Sequence, residues 1–455
     1  MTKNTKGHSR ALGPTVQEVL KADVVPPPAA LIATEYAFLG DEDLDAKRYT
    51  DPAFAALEID KMWSKTWQWA CREEHLEDPG DRYVYDIGPY SIIISKDDQG
   101  RISAFRNSCT HRGTRLVAGE GSGFGQGFTC PFHGWSWHLN GQLEQLPARW
   151  DFPHVCPSQH SLLEVSCEIW GGFIFVNLDP DAAPLAEQLE VMTEHFKDFP
   201  LDHRRVKVHV QKRLPANWKA AQEAFLEAYH NVETHNSPNG ANAQYDIFGR
   251  YVTRFIHNTG TYSPQSLADY PGTEKWREPE LTESEILART PGEPRTLAEH
   301  ETARQVAAAQ ARELLAERLG TSQDHISDSQ ALDSIEYHLF PNMFFFPGIN
   351  IPMVYRFRPD GANVDACLFD LLIMEPWPTA EPKPFPPEPV FLDVEQSYTE
   401  VPELGWLGRV YDEDTGNLAL QQQGLKAAGK GLTLGNYQEA RIRRIHQTLD
   451  AFLSA

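Results

Sequence analysis

The chain has 455 residues, 41% hydrophobic and 23% charged, and carries 41 Lys and Arg against 64 Asp and Glu for a formal net charge of −23. That length implies two to three domains with ample core, so no disulfide framework is required. So acidic a surface repels phosphate backbones and anionic lipid, and no apolar run reaches the ~20 residues of a bilayer span, which argues against nucleic acid and membrane as partners. Residues 1–13 are polar and lack the apolar core of a signal peptide, so a soluble, cytoplasmic protein is expected.

Residues 25–30 are rich in Pro and Ala and read as an extended arm. The apolar spacing over residues 51–69 predicts a helix. Pro79, Gly80 and Asp81 mark a turn, and strands are expected around Tyr83–Tyr85, Ser91–Ser95 and residues 171–176. Many intervening glycines suit short strands on tight loops, so residues 72–177 read as a small all-β domain. Beyond Asp179 a helix is predicted within residues 215–235. Thr296 and Glu299 have the spacing of a capping box, and Val306, Ala307, Gln310, Leu314 and Leu315 continue a helical pattern to Gly320. Residues 340–370 are strand-like, with Phe344, Phe345 and Phe346 read as sheet core in preference to pocket wall. Residues 380–390 form a Pro-rich loop, and Ile442, Ile445, Leu449 and Phe452 lie on one face of a closing helix. No internal repeat is present. The second part is α+β and larger than the first.

The six cysteines are Cys71, Cys109, Cys130, Cys156, Cys167 and Cys367. In a reducing cytoplasm, cysteines clustered with histidines read as metal ligands, not disulfides. Cys109 and His111 form one short pair and Cys130 and His133 another, with residues 112–129 between them. A zinc finger groups a Cys pair before a His pair, whereas here the two types are interleaved. Facing each other across two loop tips, two thiolates hold one iron of a [2Fe–2S] cluster and two imidazoles the other, the Rieske ligand set. Gly113, Gly134 and the glycines at 119–127 let the backbone approach inorganic sulfide, and Trp135 and Trp137 could shield the cluster. A structural zinc site is the competing reading. Cys71, Cys156, Cys167 and Cys367 read as buried thiols, and His138, His154, His203, His209 and His338 as ordinary core or surface histidines.

The stretches Asn107–Gly113 and Cys130–Trp135 resemble the Rieske centre of the aromatic-ring-hydroxylating oxygenases, specifically their large alpha subunits. The resemblance implies a small all-β Rieske domain followed by a larger α+β catalytic domain, an antiparallel sheet covered by helices in the helix-grip, START-like manner. The expected divisions are an N-terminal arm and helix over residues 1–50, the Rieske domain over 51–180 and the catalytic domain over 181–455.

A second constellation lies about one hundred residues downstream. Asn217, Trp218 and Lys219 lead to Glu227, His230 and His235. Glu227 and His230 share a helix face. An offset of five turns through about 500°, leaving His230 and His235 roughly 140° apart on an ideal helix. Both can bind one metal only if the helix bulges or ends near residues 231–234. Two imidazoles with one carboxylate and open positions make a facial triad for mononuclear Fe(II). The family resemblance implies that the carboxylate is a distant Asp in an acidic pair followed by Gln-Gly-Leu. Glu413 and Asp414 before Gln423, Gly424 and Leu425 match, which selects Asp414, with Asp412 as competitor. It also implies that Glu227, where relatives usually carry Asp, bridges His230 to a Rieske His of a neighbouring subunit. Tyr245 and Phe248 are further candidates for the wall of an apolar pocket.

These readings imply a terminal oxygenase that takes electrons originating in NAD(P)H and uses O2 to hydroxylate a small aromatic or other apolar ring, cis-dihydroxylation being favoured. No Gly-x-Gly-x-x-Gly fingerprint follows a predicted strand, so a separate reductase, with or without a ferredoxin, is expected as donor. The resemblance implies a head-to-tail homotrimer, or three alpha with three beta subunits. The alternatives are a monooxygenase or demethylase on a non-aromatic or methylated substrate, a Rieske electron carrier without oxygenase activity, and a zinc-stabilised binding module.

Overall fold

The structure is a computed structural model and describes residues 15–235, 243–258, 283–288, 292–293, 295–378 and 380–454. Residues 1–13 lie outside these. Asp51 caps the helix Pro52–Glu58 by accepting the Ala53 N–H at 2.8 Å, and a π-turn, Ile59–Trp63, completes it. The helix does not reach residue 69 as the spacing predicts. Gln68–Arg72 is a strand with all five residues buried, and a strand covered on both faces shows no alternation to distinguish it from a buried helix segment.

That strand begins an antiparallel seven-stranded sheet, in the order Gln68–Arg72, Phe173–Asn177, Glu164–Trp170, Ile102–Arg106, Tyr90–Lys96, Asp81–Ile87, Gly121–Phe124. A three-stranded sheet of Phe128–Thr129, Ser136–Trp137 and Leu143–Gln145 lies between them in sequence. Its Phe128 and Trp137, with Trp135 just before the second strand, pack with Ile93, Phe105, Cys109 and Cys130 into a separate small core.

The second part is an eight-stranded sheet ordered Gln244–Phe248, Val252–His257, Ser334–Leu339, Met343–Phe345, Met353–Asp360, Asn363–Pro376, Arg204–Leu214, Val390–Leu392. Every pairing in it is antiparallel except that of Arg204–Leu214 with Val390–Leu392. Helices cover it, among them Trp218–Glu223, Trp406–Gly416, Leu418–Ala427 and Ala440–Leu453. The architecture is thus a small all-β unit followed by a larger α+β unit. The N-terminal segment lies on the larger sheet: Leu20 and Leu31 pack with Phe248, Val252 and Ile256, and Ile247 N–H donates to Glu35 at 2.7 Å. Phe344, Phe345 and Phe346 are buried sheet core, as expected.

Two local expectations are corrected. The capping box before the long helix is Thr302 with Gln305, not Thr296 with Glu299, and the helix runs Ala303–Leu319 to Gly320. Both tetrads carry the spacing, and only the second is followed directly by buried residues, Ala303, Val306 and Ala307. Cys156 is exposed and Cys167 half-buried, while Cys71 and Cys367 are buried thiols whose ionisation burial opposes. The helix expected within residues 215–235 is present, as two short pieces, Trp218–Glu223 and Asn231–Thr234.

Candidate metal centres

The break between those two pieces shapes the site. Asn217 caps the first by accepting the Lys219 N–H at 3.1 Å. Past Glu223 side chains take the backbone donors: Ala228 N–H donates to the Tyr245 hydroxyl at 3.1 Å and His230 N–H to Glu227 Oε2 at 2.9 Å. Tyr245, proposed as pocket wall, is therefore spent on backbone support, and Phe248 packs in the sheet core. A single helical turn, Asn231–Thr234, follows, with His230 before it and His235 after it. The predicted distortion thus begins before His230, and it brings the two rings to 5.4 Å between centroids.

Asp414 arrives from the helix Trp406–Gly416. Its Oδ1 lies 2.7 Å from His235 Nε2 and 3.4 Å from His230 Nε2. One ligand atom from each of His230, His235 and Asp414 lies within 4.8 Å of the others, and this is the one such group found among the described residues. The competitor Asp412 faces away and accepts hydrogen bonds from Ser397 Oγ and, at 2.9 Å, from Tyr398 N–H. The outer ring edges are held by carboxylates: Glu227 Oε1 lies 3.0 Å from His230 Nδ1 and Glu413 Oε2 2.8 Å from His235 Nδ1. With the proton on Nδ1, each Nε2 lone pair faces Asp414, the arrangement that orients metal-bound imidazoles.

The electrostatics ask for a cation. Burial by itself lowers the His230 pKa, but hydrogen bonds and charges from Asp414 and Glu227 outweigh it and push it up to about 10. His235 is raised chiefly by its hydrogen bond to Asp414. Asp414 is held low by both histidines despite its burial. The carboxylates thus hold protons on the two imidazoles, and a divalent ion bound by His230, His235 and Asp414 would take the place of those protons.

The other centre forms on two loops with one hydrogen-bonding plan. Cys109 N–H donates to Thr114 O and Gly113 N–H to Cys109 O, both at 2.8 Å. Cys130 N–H donates to Trp135 O at 2.8 Å and Gly134 N–H to Cys130 O at 3.1 Å. Gly113 and Gly134 close the turns at φ of 78° and 73°, a conformation that L side chains rarely adopt. Cys109 and Cys130 are buried together. Burial raises the Cys130 thiol, but N–H groups of Phe132 and His133, with Cys109 and Thr114, bring it below its ordinary range. The rings of His111 and His133 stand 4.7 Å apart, and each Nδ1 is buried without a protein partner. Trp135 stacks on His111 at 5.0 Å with 3° between planes. Two thiols and two inward, unpartnered Nδ1 atoms are the donor set of a Rieske cluster, and the residues present fit one. All four sequence-predicted ligands are brought to one place.

Some functional neighbours escaped the sequence reading. Glu413 was singled out only as half of an acidic pair, and its grip on His235 depends on the fold. Glu223 was not singled out. It lines, with Glu227, Glu439, His230 and Asp414, a chamber of about 680 Å³. Tyr49 and His446 clamp its carboxylate at 2.9 Å and 2.8 Å. Its position four residues before Glu227 was the available signal. Of the histidines set aside, His138, His154 and His203 are exposed, whereas His209 and His338 are buried.

Residues 66–155 match the Rieske [2Fe-2S] domain and residues 194–455 the ring hydroxylating alpha subunit (catalytic domain). The chain belongs to the ring-hydroxylating alpha subunit family, whose members pair a [2Fe–2S] Rieske domain with a mononuclear-iron catalytic domain. It is 26% identical over 215 residues to the chloroplastic choline monooxygenase of Spinacia oleracea, covering 46% of this chain and 48% of that protein. It is 30% identical over 193 residues to the benzene 1,2-dioxygenase subunit alpha of Pseudomonas putida, covering 41% of this chain and 43% of that one. In these matches the chain spans about half the length of the curated relatives. Its fold is similar to a quaternary ammonium Rieske monooxygenase solved with L-carnitine, at TM-score 0.61 and 18% identity over 92% of this chain and 97% of the other. Naphthalene 1,2-dioxygenase with indole bound gives TM-score 0.62 and 17% identity, covering 92% and 93%. No helix among the described residues is long and apolar enough to cross a membrane.

Proposed function

We propose that the protein is the terminal oxygenase of a multicomponent system, using O2 and electrons relayed from NAD(P)H to hydroxylate an aromatic or other apolar ring, with cis-dihydroxylation favoured. The convergence of His230, His235 and Asp414 carries this reading. Phe225, two residues before Glu227, contacts Tyr355, Phe357, Phe369 and Tyr411, and Tyr411 lies one helical turn before Asp414. That aromatic group is buried core behind the site, and the chamber at His230 takes its apolar wall from Leu418, Leu425, Leu432, Leu434 and Ile442, which suits an apolar ring.

In this reading Cys109, Cys130, His111 and His133 would hold the cluster, and His230, His235 and Asp414 would hold the mononuclear Fe(II). The cluster supplies single electrons and the Fe(II) the redox chemistry of dioxygen. Glu227 and Glu413 keep a proton on each Nδ1 and so leave each Nε2 free to bind. Leu418, Leu425, Leu432, Leu434 and Ile442 orient substrate and exclude water. The electrons come from a reductase, directly or through a ferredoxin, and the protein works in the cytoplasm as a homotrimer or an α3β3 assembly. In that trimer Glu227 links His230 to the His133 of a neighbouring copy. Supporting this, Phe132 is exposed at the Rieske tip and Glu227 lines the open chamber beside His230.

A second reading, monooxygenation or demethylation of a methylated cationic substrate, is favoured by one observation: Glu223, Glu227, Asp414 and Glu439 line that chamber, with no Lys or Arg among the described residues that do so. One experiment tests both. The purified protein is supplied with a generic reductase and ¹⁸O2, and candidate apolar rings and methylated amines are compared by product mass. Two labelled oxygens in a ring diol support the first reading, and one labelled oxygen with loss of a methyl group or cleavage of a C–N bond supports the second. Iron at about two per chain in place of about three indicates an electron carrier instead.

A further inference from the structure

A second cleft, of about 620 Å³, opens where the N-terminal arm meets the start of strand Arg204–Leu214 and the end of helix Ala303–Leu319, and it shares no lining residue with the chamber at His230. Its walls are mainly hydrocarbon, supplied by Phe199, Leu315, Leu319, Pro347, Ile349 and Trp377. Arg204 also lines it and is only 5% exposed. The guanidinium donates to the carbonyls of Phe346, at 3.2 Å, and Pro347, which uses two of its five N–H groups.

Most other buried arginines have carboxylate partners: Arg254 sits on Asp246 at 2.6 Å, Arg304 on Asp333 at 2.6 Å and Arg356 on Asp370 at 2.9 Å, whereas Arg443, which does not line this cleft, donates to the Glu42 carbonyl at 2.7 Å. Among the described residues Arg204 has none, and burial, with Arg72 nearby, draws its pKa down to about 10. A buried charge lacking a counter-ion is costly, and an arriving anion would relieve that cost. The other ionisable lining groups are Lys197, already paired with Glu194, together with Asp198, His203 and His325, all exposed at the rim.

We propose that this cleft binds a small apolar carboxylate, its carboxyl group on Arg204 and its hydrocarbon against Phe199, Leu315 and Leu319. One buried cation matches a monoanion, whereas a phosphate dianion would keep one charge unmatched. The match of fork and carboxylate favours bidentate contact.

The test is calorimetric titration of the full-length, iron-loaded protein with cyclohexanecarboxylate, and with cyclohexanemethanol as the uncharged probe. The expected result is saturable carboxylate binding, with the alcohol weaker by about tenfold or more. Arg204→Gln should weaken the carboxylate by a similar factor. Because that variant also loses hydrogen bonds to Phe346 and Pro347, Leu319→Trp serves as a second probe: it fills the cleft from a helix end and should abolish binding with the melting temperature unchanged. Equal binding of acid and alcohol, no saturable binding, or full binding by a folded Leu319→Trp variant each overturns the proposal.

Discussion

Glu413 Oε2 lies 2.8 Å from Nδ1 of His235, on the ring edge opposite the Nε2 that faces Asp414. Glu227 does the same for His230 at 3.0 Å. Each imidazole thus has one nitrogen pinned by a carboxylate and the other presented to a shared centre.

That pinning predicts a graded loss. Glu413→Gln should lower Fe(II) affinity by about 10- to 100-fold, the usual cost of removing a carboxylate behind a metal-bound imidazole. Competition with a coloured chelator measures it, and the visible spectrum of the cluster should not change. An unaltered affinity would remove Glu413 from the site.

Asp412 and Asp414 are distinguishable by iron content. Asp414→Ala should take iron from about three to about two per chain, leaving the cluster's electron paramagnetic resonance intact. Asp412→Asn should retain all the iron, because Asp412 is engaged with Ser397 and Tyr398. The reverse pattern would exchange the two assignments.

Acidity should oppose metal loading. In chelator-treated protein His230 is raised from 6.5 to about 10, so the metal displaces a proton across the neutral range. Fe(II) affinity should therefore rise by up to about tenfold per pH unit, until pH reaches about 10. Stability of that treated protein runs the other way. A raised histidine pKa contributes stability in full below about pH 6.5, and the contribution is lost as pH rises through about 10. Anaerobic titrations at several pH values and thermal melts of the treated protein read the two trends; a flat affinity profile would contradict the scheme.

Lys219 ties the start of the catalytic helix to the segment before the first sheet. Its Nζ lies 2.6 Å from Glu58 Oε1, with both side chains almost wholly buried, and Trp218 Nε1 donates to Glu58 Oε2 at 3.2 Å. Lys219→Met should destabilise the protein by about 3–5 kcal/mol, because Glu58 is left charged and buried. Adding Glu58→Gln should recover much of that loss. Denaturant melts of the single and double variants decide it, and equal melts for the single variant and the parent would show that the pair contributes nothing.

The Rieske ligands were legible in the sequence because each pair is local. Cys109 with His111, and Cys130 with His133, sit within single tight turns, and Gly113 and Gly134 mark where those turns need positive φ. Secondary structure was less legible wherever burial removed the alternating pattern, as at Gln68–Arg72, or where two tetrads carried the same capping spacing, as at Thr296 and Thr302.

The mononuclear centre divides differently. Sequence alone determined which residue types were available: His230 and His235 with Glu227, and an acidic run from Asp412 to Asp414 far along the chain. Tertiary structure alone decided that Tyr245, from a strand, takes the Ala228 N–H where the helix would otherwise continue, and that Asp414 turns inward while Asp412 turns out. The reason is range. A hydrogen bond within one turn is written in neighbouring residues, whereas the orientation of a carboxylate brought from the chain's other end depends on how the helix Trp406–Gly416 packs against the sheet.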